Sequence, residues 1–129
     1  MNASMPAIVL FAHGSRDPLW RAPIDAVAEE ILRQSPRAVV RCAFLELMTP
    51  GLQESVDALV DAGHRHIRIV PMFLGIGRHA REDLPVLVEA LRSRHPGLHL
   101  DLQPAVGEQA PLTRCMAEIA LAKPSGDTT

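Results

Sequence analysis

Aromatic residues are scarce in this 129-residue chain: three Phe, one Trp and no Tyr, 3% in all. So few ring faces leave little for stacking nucleic-acid bases, and a formal net charge of −2 supplies no basic field to attract a phosphate backbone. Nucleic acid is therefore not an expected partner. Cysteine is equally thin. Cys42 and Cys115 are the only two, they lack C-x-x-C spacing, and each sits among apolar residues; this excludes a disulfide framework or a cysteine-held cluster and predicts two buried small hydrophobes. The apolar run near the start, Ala7 to Ala12, follows Pro6 with no basic segment ahead of it and is far too short to span a bilayer. The expectation is a cytoplasmic protein without a membrane partner. Neither G-x-G-x-x-G nor G-x-x-x-x-G-K-S/T occurs, so no nucleotide or other organic cofactor is predicted.

What is present is ordinary globular material, 47% hydrophobic and 22% charged, in an amount suited to one domain with its own core. Residues 1–122 are expected to form that single domain, and the polar stretch 123–129 a flexible C-terminal tail. Ala7-Ile8-Val9-Leu10-Phe11-Ala12 is a continuous apolar run of the kind buried on both faces of a parallel sheet. Asp17-Pro18 then reads as a helix start, with Trp20, Ile24, Val27, Ala28, Ile31 and Leu32 at helical spacing. The unit repeats. Ala38 to Leu45 is a second strand, Thr49-Pro50 opens a helix carrying Leu52, Val56, Leu59 and Val60, and Gly63 stops it. Ile67 to Phe73 is a third strand, followed by a loop from Leu74 to Ala80 and a helix bearing Leu84, Leu87, Val88 and Leu91. Leu98, Leu100 and Leu102 alternate with His99 and Asp101, which suits an edge strand, and Pro111 opens a last helix with Leu112, Cys115, Met116 and Ile119. Strands alternating with helices make right-handed crossovers. The predicted fold class is thus α/β: a doubly wound, four-stranded, mainly parallel sheet with helices on both faces.

In such sheets ligands bind beyond the carboxyl ends of the strands. His13 follows the first strand, Glu46 the second, and His79 lies in the loop after the third. Two imidazoles and a carboxylate at one edge suit a borderline divalent metal ion and leave coordination positions open. Singly, each has a plain alternative: a helix cap for His13, a solvated carboxylate for Glu46, a basic surface loop for His79 between Arg78 and Arg81. It is their convergence that points to a metal. Gly14 and Ser15, at the turn into the first helix, present free backbone N–H groups to an anion. His64 and His66 fall at the amino end of the third strand, and His95 and His99 flank the Pro96-Gly97 turn; all four read as exposed turn residues.

The segment Leu10-Phe11-Ala12-His13-Gly14-Ser15-Arg16-Asp17-Pro18 resembles the class II tetrapyrrole chelatases, in particular the short CbiX-type sirohydrochlorin chelatases. Two further segments share the resemblance: Ala43-Phe44-Leu45-Glu46 with Pro50, and Val70-Pro71-Met72-Phe73-Leu74 with Gly77, His79, Asp83 and Pro85. It implies an enzyme, a lyase that inserts a divalent ion (Co²⁺, alternatively Fe²⁺ or Ni²⁺) into sirohydrochlorin or a related tetrapyrrole without ATP. The residues matching the family's histidines, His13 and His79, would hold the metal and accept pyrrole protons, with Glu46 as a third metal ligand. The substrate's carboxylates would engage Gly14, Ser15, Arg16, Arg78 and Arg81. The resemblance also implies half of a two-lobed chelatase, paired as a homodimer, in cobalamin or siroheme biosynthesis. It includes neither a histidine-rich tract nor an iron–sulfur centre here.

Two rival functions fit parts of the pattern. A carrier of metal or tetrapyrrole would use the same ligands without turnover. A histidine-dependent phosphoryl-transfer enzyme would place His-Gly after its first strand, but the arginine usual before that histidine is Ala12 here.

Overall fold

The computed structural model describes residues 5–123; the first four residues and most of the expected tail, 124–129, lie outside that range. Four strands, β1 (Ala7–Ala12), β2 (Val40–Phe44), β3 (His66–Pro71) and β4 (His99–Leu102), form one sheet in the order β2-β1-β3-β4. Every pairing is parallel. The near-continuous apolar β1 is central, pairing Leu10 with Cys42 on one side and with Val70 on the other, while the alternating β4 is at an edge, because its half-exposed Asp101 and exposed His99 face solvent. No helix among the described residues is long and apolar enough to cross a membrane.

The helices are α1 (Ala22–Gln34), α2 (Leu52–Asp61), α3 (Arg78–Arg94) and α4 (Ala110–Leu121). The core lies on one side of the sheet. Ala7, Val9 and Phe11 of β1, with Ile67 and Ile69 of β3 and Leu100 of β4, pack against Leu52, Val56 and Leu59 of α2 and Leu84, Val88 and Leu91 of α3. On the other side α1 covers β2 and β1 less completely. Neither α1 nor α4 has a buried residue, and Leu112 and Cys115 of α4 line an open crevice with Met72 and Val106.

Three helix starts differ from expectation. Asp17 does cap, accepting from the Leu19 N–H at 2.9 Å, but the turn it caps is a 3₁₀ turn, Pro18–Arg21, and α1 begins only at Ala22. Thr49-Pro50 is a cis peptide bond ahead of α2 rather than its first turn; Gly51 is the cap, and its N–H donates to the Glu54 carboxylate at 2.8 Å. α3 starts at Arg78, so His79 is the second residue of a helix and not part of a loop. The cysteines also depart from the reading: Cys115 is exposed on α4 and Cys42 is half-buried. Burial, together with the Asp25 carboxylate 3.8 Å away, pushes the Cys42 thiol up.

Candidate metal-transfer site

Backbone geometry puts His13 and Glu46 side by side. The parallel ladder of β1 and β2 runs past both strands, with the Leu45 N–H donating to the Ala12 carbonyl at 2.9 Å and the Glu46 N–H to the His13 carbonyl at 3.1 Å. The next residue, Gly14, has φ of +102°, and a Cβ placed on it would lie 1.8 Å from the Glu46 carbonyl oxygen. Only glycine allows the two loops to meet this closely. Leu47 follows with φ of +67°, a left-handed conformation that costs a leucine on the order of 1 kcal/mol or more. Side chains then meet across the clamp: His13 Nε2 is 3.2 Å from Glu46 Oε2, and both are more than half exposed. The pair is open to an incoming ion.

His79 arrives from the other side. Gly77 caps α3, and the first turn points His79 into the cavity that His13 and Glu46 also line. That cavity measures about 420 Å³, within the ordinary range for small-molecule sites. Phe11, Leu45, Phe73, Ile76 and Leu87 make its apolar walls, and Asp83, one turn beyond His79, is a further carboxylate on it. The three predicted ligands thus share one cavity. They do not form a ready-made cage: among the described residues no group of three or more His, Cys, Asp or Glu side chains is gathered closely enough to hold a metal ion. Two imidazoles and two carboxylates on separate walls can approach an ion from several sides while leaving space for a flat ligand among the apolar residues.

The residues expected to meet an anion are placed differently. Gly14 and Ser15 are not at a helix N-terminus, because the helix begins past Asp17; the Ser15 hydroxyl instead accepts from the Asp17 N–H at 3.0 Å. Arg16 is exposed, outside the cavity wall. Arg78 pairs with Glu82 at 3.4 Å, and Arg81 turns away to donate to the Ile76 carbonyl at 3.1 Å, lining a separate crevice with Pro104 and Glu108. Neither guanidinium lines the His13–His79 cavity.

The remaining histidines are at the opposite edge, as read; His99 is exposed, whereas His64, His66 and His95 are half-buried. His66 and His99 stack with ring centroids 4.2 Å apart. His95 is 16% exposed and shares Asp57 with Arg94: its Nε2 lies 2.6 Å from Asp57 Oδ1, and the guanidinium donates to both oxygens at 3.0 and 2.9 Å.

Sequence and fold were compared with known proteins. The family model described as CbiX matches residues 7–121. A sirohydrochlorin cobaltochelatase of Methanopyrus kandleri is 36% identical over 84 residues, covering 65% of this chain and 59% of that protein. A CbiX protein from Marinobacter aquaeolei VT8 has a crystal structure that superposes with a TM-score of 0.77 at 30% identity, over 90% of this chain and 94% of that one. The sirohydrochlorin chelatase SirB from Bacillus subtilis subspecies spizizenii, in complex with cobalt, superposes at 0.67 with 30% identity, over 90% of this chain and 52% of SirB. The chain therefore spans less than two thirds of the archaeal relative and about half of SirB.

Proposed function

The chain belongs to the CbiX family, and from that membership we propose that it inserts a divalent metal ion into sirohydrochlorin or a closely related tetrapyrrole. The observation that carries the reading is the single cavity lined by His13, Glu46 and His79 beyond the carboxyl ends of three parallel strands. The relatives' names favour Co²⁺, with Fe²⁺ and Ni²⁺ as alternatives that imidazole and carboxylate ligands also accept.

Metallation removes the protons of two ring N–H groups and binds the ion to all four ring nitrogens, so the site must deliver an ion stripped of part of its water and accept two protons. Neutral imidazole does either job near neutral pH, its ordinary pKa being about 6.5. In this reading His13 and His79 would hold the ion, and the macrocycle would lie against the apolar wall of Phe11, Leu45, Phe73 and Ile76. Glu46, 3.2 Å from His13, holds that imidazole in place and shares the charge it gains. Protons then leave through the exposed His13–Glu46 pair. No nucleotide is needed, because exchanging aqua ligands for four ring nitrogens is the driving step. Gly14, Ser15 and Arg16, which follow His13 in the chain, would meet peripheral carboxylates outside the cavity wall; Arg78 and Arg81 would serve there only after leaving their present partners. Two copies pairing as a homodimer would supply a second wall for the macrocycle, which suits the two-fold symmetry usual in such assemblies.

The test is the visible spectrum of sirohydrochlorin mixed anaerobically with Co²⁺, Fe²⁺ or Ni²⁺, with and without protein. Acceleration with repeated turnover supports a chelatase. One equivalent bound without turnover makes the protein a carrier, and equal rates with and without protein overturn the reading.

A further inference from the structure

We infer that Asp83 is a positioning residue for His79 when an ion binds, giving the cavity a second imidazole–carboxylate pair to match His13 with Glu46. The inference rests on the proposed metal site and adds a residue and a role to it.

Three observations support it. Asp83 and His79 line the same cavity although they belong to one helix. Residues four apart on a helix lie on one face, about 5–6 Å between Cβ atoms, and helical side chains lean toward the N-terminus, so Asp83 reaches back over the turn that carries His79. Second, Asp83 is the odd acid of α3. Glu82 is paired with Arg78 at 3.4 Å and Glu89 with Arg92 at 3.8 Å, whereas no cation engages Asp83 among the described residues. Third, Arg81, the arginine nearest to it in sequence, is committed to the Ile76 carbonyl. Asp83 is exposed and no hydrogen bond or ion pair joins it to His79 in this structure, so the pair forms only when the two side chains turn toward each other across one helical turn. A carboxylate that accepts from one ring N–H fixes the tautomer and leaves the other nitrogen free for a metal, as outer-shell carboxylates commonly do.

Binding of Co²⁺ alone, measured by titration calorimetry, tests the role without requiring turnover. Asp83→Ala is expected to weaken Co²⁺ binding roughly 10- to 100-fold, and Asp83→Glu to recover most of the loss. In a His79→Ala background the same Asp83→Ala change is expected to add less than about twofold, because nothing remains to position. Glu89→Gln, on the far side of the helix, serves as the unchanged control. In insertion assays Asp83→Ala is expected to lower kcat while KM for the macrocycle stays within about twofold. Wild-type Co²⁺ affinity in Asp83→Ala overturns the inference, and so does a full additional loss in the His79→Ala background, which would make Asp83 a ligand itself. Should Asp83→Ala fold poorly by circular dichroism, the isosteric Asp83→Asn takes its place under the same criteria. The pattern in Co²⁺ binding without any insertion leaves the inference standing and removes the proposed function; insertion with an unaffected Asp83→Ala does the reverse.

Discussion

The two ends of the sheet each carry histidines and a cavity, and they differ in what accompanies the imidazoles. At the carboxyl end His13 and His79 share about 420 Å³ with Glu46, Asp83 and apolar walls. At the amino end His64 and His66 line about 620 Å³ with Arg37 and Arg65 and no carboxylate. The larger cavity is the poorer home for a cation. Guanidinium groups repel an incoming ion, and the His66 ring is already stacked on His99. Histidine content alone therefore does not mark a metal site; carboxylate partners and strand polarity do.

The sharpest way to break this contrast uses two glycines with nearly the same backbone. Gly14 and Gly63 have φ of +102° and +100°, but a Cβ on Gly14 meets the Glu46 carbonyl at 1.8 Å, whereas one on Gly63 meets nothing within 4 Å. Gly63→Ala should cost only the left-handed conformation, about 1 kcal/mol. Gly14→Ala adds a backbone collision at the carboxyl end and should cost roughly 3 kcal/mol or more, with loss of metal binding. Denaturant midpoints of the two variants, side by side, check this.

Next in size is the split among histidines. His13→Ala and His79→Ala should each lower the insertion rate by about 100-fold or more. His66→Ala and His99→Ala should leave it within about twofold and instead cost about 0.5–1 kcal/mol of stability through the lost ring stack. Equal losses at both ends would erase the contrast.

The smallest effect is a pH dependence confined to the amino end. Arg94, then His95, hold the Asp57 carboxyl at about 2, below its ordinary 3.8. A depressed carboxylate stabilises the fold above its unfolded pKa, and that contribution is lost as pH falls from about 5 toward 2. Its size is on the order of 1 kcal/mol, since solvent screens a partly exposed pair. Asp57→Asn should therefore flatten the acid limb of a thermal-melt profile and leave the neutral-pH insertion rate unchanged.

Strand positions were legible because continuous apolar runs such as Ala7 to Ala12 have few other uses, and the edge position of β4 followed from its alternation. The approach of His13, Glu46 and His79 to one edge was legible for the same reason, since sheet polarity fixes where strands end. Helix starts were less so. Pro18 and Pro50 look like first-turn prolines, yet one begins a 3₁₀ turn and the other a cis bond. The start of α3 was hidden because Arg78, His79, Ala80 and Arg81 contain no apolar period, although they form its first turn. The spacing of Leu112, Cys115, Met116 and Ile119 announced a helix face correctly, but periodicity does not say what covers a face, and in this chain the helix buries none of its residues. Asp83 went unassigned because its meaning depends on which neighbours are already paired.

One contact ties that uncovered helix to the site. A Cβ on Gly107, in the short turn before α4, would lie 1.7 Å from the Leu74 carbonyl oxygen, and the Gly107 N–H donates to the Phe73 carbonyl at 2.9 Å. Phe73 lines the cavity, and Leu74 begins the link to Gly77 and His79. In mechanical terms α4 is an arm clamped to the same bearing as the Phe73 wall of the cavity, the wall from which the chain runs on to His79.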